Sequence, residues 1–389
     1  MTSAKIFSHA GINTQLAHNG NNPQDYFGFV NPPVVHASTV LFPDAETLKN
    51  EQQRYTYGTH GTPTTDALCH AVDQLEGSVK TVLVPSGLAA ITVPLLGALG
   101  SGDHALIVDS VYGPTRRFAN TILKKCGIEV EYYDPLIGKS IEQLMKPNTK
   151  VVFTESPGSN TFEIQDIPAI AQIAHTYGAL VLMDNTWATP VYFKPLKHGV
   201  DISIMAATKY PAGHSDILMG FISANERAKN IVERAHMVLG MCVSGDDAYN
   251  TLRSMRTLGI RLGHQSKTAF DLARWLETMP QVAKVLHPAL TRHVGHDIWQ
   301  RDFSGASSLF SIVLKGGGEK EAHAFLNALN IFGLGYSWGG YESLAVEVNL
   351  EDRTIKRKYS GPILRLQIGI EDFDDLKADI EQALIATKL

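Results

Sequence analysis

The sequence predicts an α/β protein: a large domain on a mostly parallel sheet, then a smaller α+β domain. Two patterns carry this reading. Short apolar runs, rich in β-branched residues, occur at 81–84, 105–109, 150–154, 179–184, 202–206 and 217–223, most of them separated by longer helix-capable stretches. Apolar strands alternating with helices mark a sheet covered on both faces. Near residue 226 the rhythm changes to a helix-rich stretch reaching 276. Strands at 308–314 and 364–370 follow, mixed with amphipathic helices at 319–329 and 374–387. A chain of 389 residues, 44% hydrophobic and 19% charged, has enough apolar material for more than one core. That composition excludes a disordered chain and a small disulfide scaffold.

Three segments are expected: an arm over 1–60, a large α/β domain over 61–250 and the smaller domain over 251–389. The first sixty residues lack a sustained period and carry Asn-Asn-Pro and Asn-Pro-Pro turn signals around Pro23 and Pro32. Their aromatics (Phe27, Phe29, Phe42, Tyr55, Tyr57) favour an arm lying on another surface over a solvated tail.

Net charge is −5, from 34 Lys and Arg against 39 Asp and Glu, so no basic surplus exists to meet a nucleic-acid backbone. The longest apolar stretch, 89–99, is too short to span a bilayer and holds Pro94. No secretion signal is evident at the N-terminus. Cys69, Cys126 and Cys242 are odd in number and far apart, which points to reduced thiols in a cytoplasmic protein. His293 and His296 lie three apart without a matching cysteine or acid cluster, so they read as surface or structural residues, and no metal is expected.

Three motifs stand at strand ends. In Pro85-Ser86-Gly87-Leu88, Ser86 can cap a helix and the free amides behind it form an anion site; an ordinary N-cap and turn is the competing reading. Asp184, after Leu-Val-Leu-Met, can be a helix cap, a metal ligand or the partner of a protonated ring nitrogen. Lys209, in Ala206-Ala207-Thr208-Lys209, is either a solvated charge or, if desolvated, an amine fit for a Schiff base. Together they are the minimum for holding pyridoxal 5′-phosphate, whose phosphate, ring nitrogen and aldehyde need one each. Tyr112, after the strand at 105–109, can stack on a ring.

At this point the chain resembles the Cys/Met-metabolism, pyridoxal-phosphate-dependent enzymes of the aspartate-aminotransferase-like fold (fold type I). The motifs are Tyr57–Thr64 (YGTHGTPT), Pro85–Ala90 (PSGLAA), Asp109–Thr115 (DSVYGPT), Glu155–Ser159 (ESPGS), Asp184–Pro190 (DNTWATP), Ala207–Asp216 (ATKYPAGHSD), Ser337–Leu344 (SWGGYESL) and Leu364–Asp372 (LRLQIGIED). Within the family it looks most like the bacterial cystathionine β-lyases, because relatives acting at the γ-carbon usually carry leucine where Trp338 stands.

The resemblance implies the following roles. Lys209 would bond the cofactor aldehyde and move protons, with Tyr112 as the second catalytic group and ring stacker. Asp184 would pair with the ring nitrogen. The Gly87 and Leu88 amides and the Thr208 hydroxyl would hold the phosphate, with Tyr57 reaching it from a neighbouring subunit. Arg365 would grip the substrate carboxylate as a bidentate fork; the bland alternative is a surface charge on an edge strand. Trp338, Ser337 and Tyr336 would shape the substrate site. The implied reaction is β-elimination of a cystathionine-like thioether amino acid in methionine biosynthesis, by a homo-oligomer, most simply a tetramer with sites shared across a dimer. A γ-acting relative (cystathionine γ-lyase or synthase, methionine γ-lyase) and a cofactor-binding regulatory scaffold are the competing expectations. Two departures stand out: Thr59 replaces the family's phosphate-binding arginine, with Arg54 and His60 as candidate substitutes, and Ala206 replaces a serine.

Overall fold

The computed structural model describes Phe7 and residues 9–389. The large sheet has seven strands: β1 (Lys80–Val84), β2 (His104–Val108), β3 (Glu129–Tyr133), β4 (Thr149–Glu155), β5 (Leu180–Asp184), β6 (Ile202–Ala206) and β7 (Gly220–Ala224). Their order is β1-β7-β6-β5-β4-β2-β3. Only β7 runs against the rest, pairing antiparallel with both β1 and β6, so the sheet is mostly parallel as its apolar strands require. The apolar stretch at 89–99 belongs to the helix Gly87–Ala98, which packs between this sheet and the helix Lys229–Val238. Packing on two sides, which buries Ala90, Ile91, Val93, Pro94 and Leu95, accounts for its lack of a broad polar face.

The second sheet has five strands: β8 (Val282–Leu286), β9 (Leu309–Leu314), β10 (Gly333–Leu334), β11 (Leu344–Val348) and β12 (Ile363–Gln367), in the order β10-β11-β12-β9-β8. The helices Leu258–Leu276, Glu319–Ala328 and Phe373–Ala386 bury Leu272, Phe325 and Ile380 against it. Residue 250, the expected join, falls inside the helix Gly245–Met255, which packs its Ala248 and Leu252 with Leu68 and Val72 of the helix Pro63–Glu76.

The structure corrects several sequence readings. The strand expected at 217–223 begins only at Gly220, because Met219 gives its backbone N–H and C=O to Thr208 instead of to a neighbouring strand. Arg365 is on β12, between β11 and β9, and so is not on an edge. Strands β3, β8, β10 and β11 escape the apolar-run reading: β3 alternates Glu129 and Glu131 with Val130 and Tyr132, and β10 has two residues. The first sixty residues are not uniform either. The helix Ile12–His18 lies on its own chain, burying Leu16, while Arg256 donates to the Leu16 and Asn19 carbonyls. Beyond it, Phe27 is 98% and Leu41 85% exposed in the single chain. His293 is buried, and His296 bonds the Pro288 carbonyl.

No helix among the described residues is long and apolar enough to cross a membrane. The three cysteines are unpaired.

Candidate active site

The ends of β1, β4, β5 and β6 open onto one cavity of about 370 Å³, lined by Gly87, Leu88, Tyr112, Glu155, Asp184, Thr208, Lys209, Tyr336, Ser337, Trp338 and Arg365 among others. Carboxyl ends of parallel strands are where such sheets place ligands. Ten of the eleven residues expected from the sequence meet here. Tyr57 does not: it stands outside the cavity, half exposed, with its hydroxyl near Ser38.

At one end, Ser86 caps the helix Gly87–Ala98 by accepting from the Ala89 amide at 3.0 Å, and its carbonyl takes the Ala90 amide. The Gly87 and Leu88 amides are left with no acceptor among the described residues, as the first turn of any helix leaves its donors. A Cβ on Gly87 would come within 2.5 Å of the Ala206 Cβ, so glycine alone lets the helix start this close to the end of β6. The Thr208 hydroxyl accepts from the Met219 amide at 3.1 Å and donates to its carbonyl at 3.3 Å. None of the cavity residues at this end carries a positive charge. Arg54 is paired with Asp66 at 2.9 Å and His60 with Thr56 at 2.8 Å.

At the cavity floor, Asp184 accepts the Thr186 amide on Oδ1 at 2.9 Å, and its second oxygen has no partner among the described residues. Burial pushes its carboxyl above the usual range, opposed by the Thr186 bond and by Lys209. A cation placed against the free oxygen would reverse that rise.

Lys209 follows β6, and its Nζ donates to Ser337 Oγ at 2.8 Å and sits 5.1 Å from the Trp338 ring centre. Trp338 in turn packs on Tyr210, 5.5 Å between centroids. Burial, helped by the positive charge of Arg365, pulls the Lys209 amine down to about 8. In the cofactor-free chain, competitive acylation of Lys209 should therefore rise with pH around a midpoint of about 8, since the neutral amine is the reactive form. A midpoint at the ordinary lysine value of roughly 10.4 would contradict this environment.

Arg365 donates to the Asn160 side-chain oxygen at 3.3 Å and to the Tyr336 carbonyl. Burial lowers its guanidinium only to about 10, so it stays charged at neutral pH. The Tyr336 side chain itself is 89% exposed. Tyr112 has its phenol pushed up by burial and by the nearby carboxylates of Asp184 and Glu155.

Several groups that shape the cavity have no part in the sequence expectations. Asn160 holds Arg365 from a left-handed backbone conformation (φ 66°) that asparagine tolerates better than most residues. Glu155 accepts the Tyr112 amide at 2.7 Å. The half-buried Arg261 donates to the Tyr210 and Ser254 carbonyls, both at 3.0 Å, and so fixes the loop after Lys209. The Thr186 hydroxyl accepts the Ala206 amide at 2.9 Å and ties β5 to β6. Their local sequence marks are slight: Glu155 is an acid ending an apolar strand, and Asn160 follows a turn-rich Pro-Gly-Ser.

The donor set fits pyridoxal phosphate. Two unpartnered helix amides beside a threonine suit a phosphate, a carboxylate with a free oxygen suits a protonated ring nitrogen, and a depressed lysine suits an aldehyde.

Comparison with known proteins agrees. Residues 13–385 match the family model described as Cys/Met metabolism PLP-dependent enzyme. A protein of Rhizobium johnstonii, provisionally named a cystathionine beta-lyase, is 62% identical over 98% of each chain. The cystathionine beta-lyase MetC of Escherichia coli (strain K12) is 41% identical over 95% of this chain and 97% of its own. The crystal structure of cystathionine gamma synthase from Xanthomonas oryzae pv. oryzae in complex with aminoacrylate and cysteine superposes with a TM-score of 0.90 at 31% identity, covering 97% of this chain and 99% of that one. With nearly its whole length inside the family match and its lysine, carboxylate and anion cradle around one cavity, the chain belongs to the Cys/Met metabolism, pyridoxal-phosphate-dependent enzymes of fold type I.

Proposed function

We propose that this enzyme cleaves cystathionine by β-elimination, converting it with one water to homocysteine, pyruvate and ammonia. One observation carries the reading: a single cavity presents a desolvated lysine, held by Ser337 and packed against Trp338, opposite an arginine fork.

When bound, pyridoxal phosphate supplies an aldehyde for the substrate amine and a ring that withdraws electrons from the Cα–H bond. The residues do the rest. Arg365 binds the substrate carboxylate and so fixes which bond at Cα faces Lys209. Lys209, neutral above about pH 8 in the free chain, takes the Cα proton at Nζ and can return it to the departing sulfur. Ser337 Oγ aims that nitrogen. Asp184 holds a proton at the ring nitrogen. Tyr112, whose phenol burial raises still further above neutral pH, works as a stacking ring that excludes water.

Trp338 favours cleavage at the β-carbon over the γ-carbon, by filling the wall beside Lys209. γ-Chemistry needs a second deprotonation at Cβ and therefore room to shift the substrate over the ring. The likeness to a cystathionine gamma synthase keeps γ-elimination as the second reading. Both are separated by incubating the enzyme with cystathionine, cystine, homocysteine and methionine and identifying the keto acid. Pyruvate from cystathionine is expected; 2-oxobutyrate as the main product would overturn the β assignment. In the same assay, Trp338→Leu should lower pyruvate formation about 10-fold or more, the scale on which a reshaped apolar pocket discriminates. An unchanged rate would remove Trp338 from this role.

The enzyme is further proposed to act in the cytoplasm as a homotetramer of dimers, with Tyr57 completing the neighbour's phosphate site. The unpaired cysteines support the first statement. The exposed Phe27, Phe29 and Leu41 support the second, since large apolar groups grouped on one segment mark an interaction surface.

A further inference from the structure

Glu155 ends β4 and is the register partner of Asp184 on β5, which places two carboxyl groups side by side at the cavity floor. Its backbone is fixed on the far side: Gln165 donates to the Glu155 carbonyl at 2.8 Å, and the buried Tyr133 hydroxyl donates to Gln165 at 2.9 Å. Its Oε2 accepts the Tyr112 amide at 2.7 Å. Its Oε1 has no hydrogen-bond partner among the described residues, while the side chain lines the cavity.

Tyr112 is the residue before the helix Gly113–Phe118, and no side chain caps that helix. The hydrogen bond from the Tyr112 amide to Glu155 therefore helps set where the Tyr112 backbone, and with it the ring, enters the cavity.

We propose that Glu155 is a positioning residue acting as an uncharged carboxyl group: one oxygen anchors the Tyr112 amide while the other faces the cavity beside Asp184. This rests on the stacking role proposed for Tyr112. Two adjacent carboxylates cannot both ionise in a desolvated site without strong repulsion. Burial, reinforced by the negative charge of Asp184, raises the Glu155 carboxyl well above the ordinary glutamate range. Asp184 is then the one that carries charge. The arrangement keeps a single negative charge at the ring nitrogen and supplies a neutral acceptor for the Tyr112 amide.

The test measures cofactor affinity of the stripped protein from quenching of its tryptophan fluorescence by pyridoxal phosphate, with no substrate present. Glu155→Ala should raise the dissociation constant about 10-fold, the scale of one lost hydrogen bond to a buried amide. Glu155→Gln, neutral and able to accept from the same amide, should stay within about 3-fold of the parent. In a Tyr112→Ala background, Glu155→Ala should have less than about a 2-fold effect, because its route runs through Tyr112. Glu155→Gln as impaired as Glu155→Ala would show that an ionised carboxylate is needed and overturn the proposal. So would wild-type affinity in Glu155→Ala, or an undiminished effect in the Tyr112→Ala background. Thermal melting of each stripped variant separates loss of fold from loss of affinity, and the isosteric glutamine variant keeps the test open if alanine unfolds. A chain that binds cofactor as expected yet releases no pyruvate would refute the β-elimination reading and leave this one standing.

Discussion

Lys209→Ala is expected to lower pyruvate release from cystathionine by about 10⁴-fold or more, since it removes the group proposed to bond the aldehyde and carry the Cα proton. The melting temperature should change little. The side chain of Lys209 contributes one hydrogen bond, to Ser337, and its burial disfavours the charged amine. Cofactor should still bind through the Gly87 and Leu88 amides, the Thr208 hydroxyl and Asp184. Partial rescue by added small primary amines, measured as pyruvate release in the variant, would tie the loss to the missing amine. A variant retaining a tenth of the parent rate would show that another residue moves the proton.

Arg365→Leu should reduce kcat/KM about 10²- to 10³-fold, with most of the loss in KM, because a desolvated charged hydrogen-bonded contact is removed and two acceptors stay behind. Those acceptors are the Asn160 amide oxygen and the Tyr336 carbonyl. Arg365→Lys should recover little of this, as an ammonium cannot reproduce the planar fork held between those acceptors. Steady-state kinetics on both variants checks it. A fall in kcat at unchanged KM would place Arg365 in the chemical step and away from carboxylate binding.

The parts of this site that could be read from sequence are those that lie at the ends of apolar strands. Asp184 and Lys209 each close a run of buried residues, and Ser86-Gly87 follows β1 directly, so position in the strand pattern marks them as candidates for chemistry. The contacts that tune them are long-range and leave little local trace. Ser337 is 128 residues from the Lys209 amine that it holds. Arg365 meets Asn160 across 205 residues. In the sequence Glu155 reads as one letter of a motif; only the strand register places it beside Asp184. The same limit applied to the fold. β3 and β11 are half-buried strands carrying Glu129, Glu131 and Glu347, so they lack the continuous apolar run that revealed the central strands. Met219 illustrates a further limit: its apolar side chain reads as strand, whereas its backbone is taken by the Thr208 hydroxyl.

Hydride trapping provides the decisive measurement. The cofactor-saturated enzyme is reduced with borohydride, digested and mapped by mass spectrometry. One phosphopyridoxyl group on the peptide containing Lys209, and none in Lys209→Ala, is the predicted result. Unmodified Lys209, or the same group on a different lysine, would contradict the assignment on which the proposed chemistry rests.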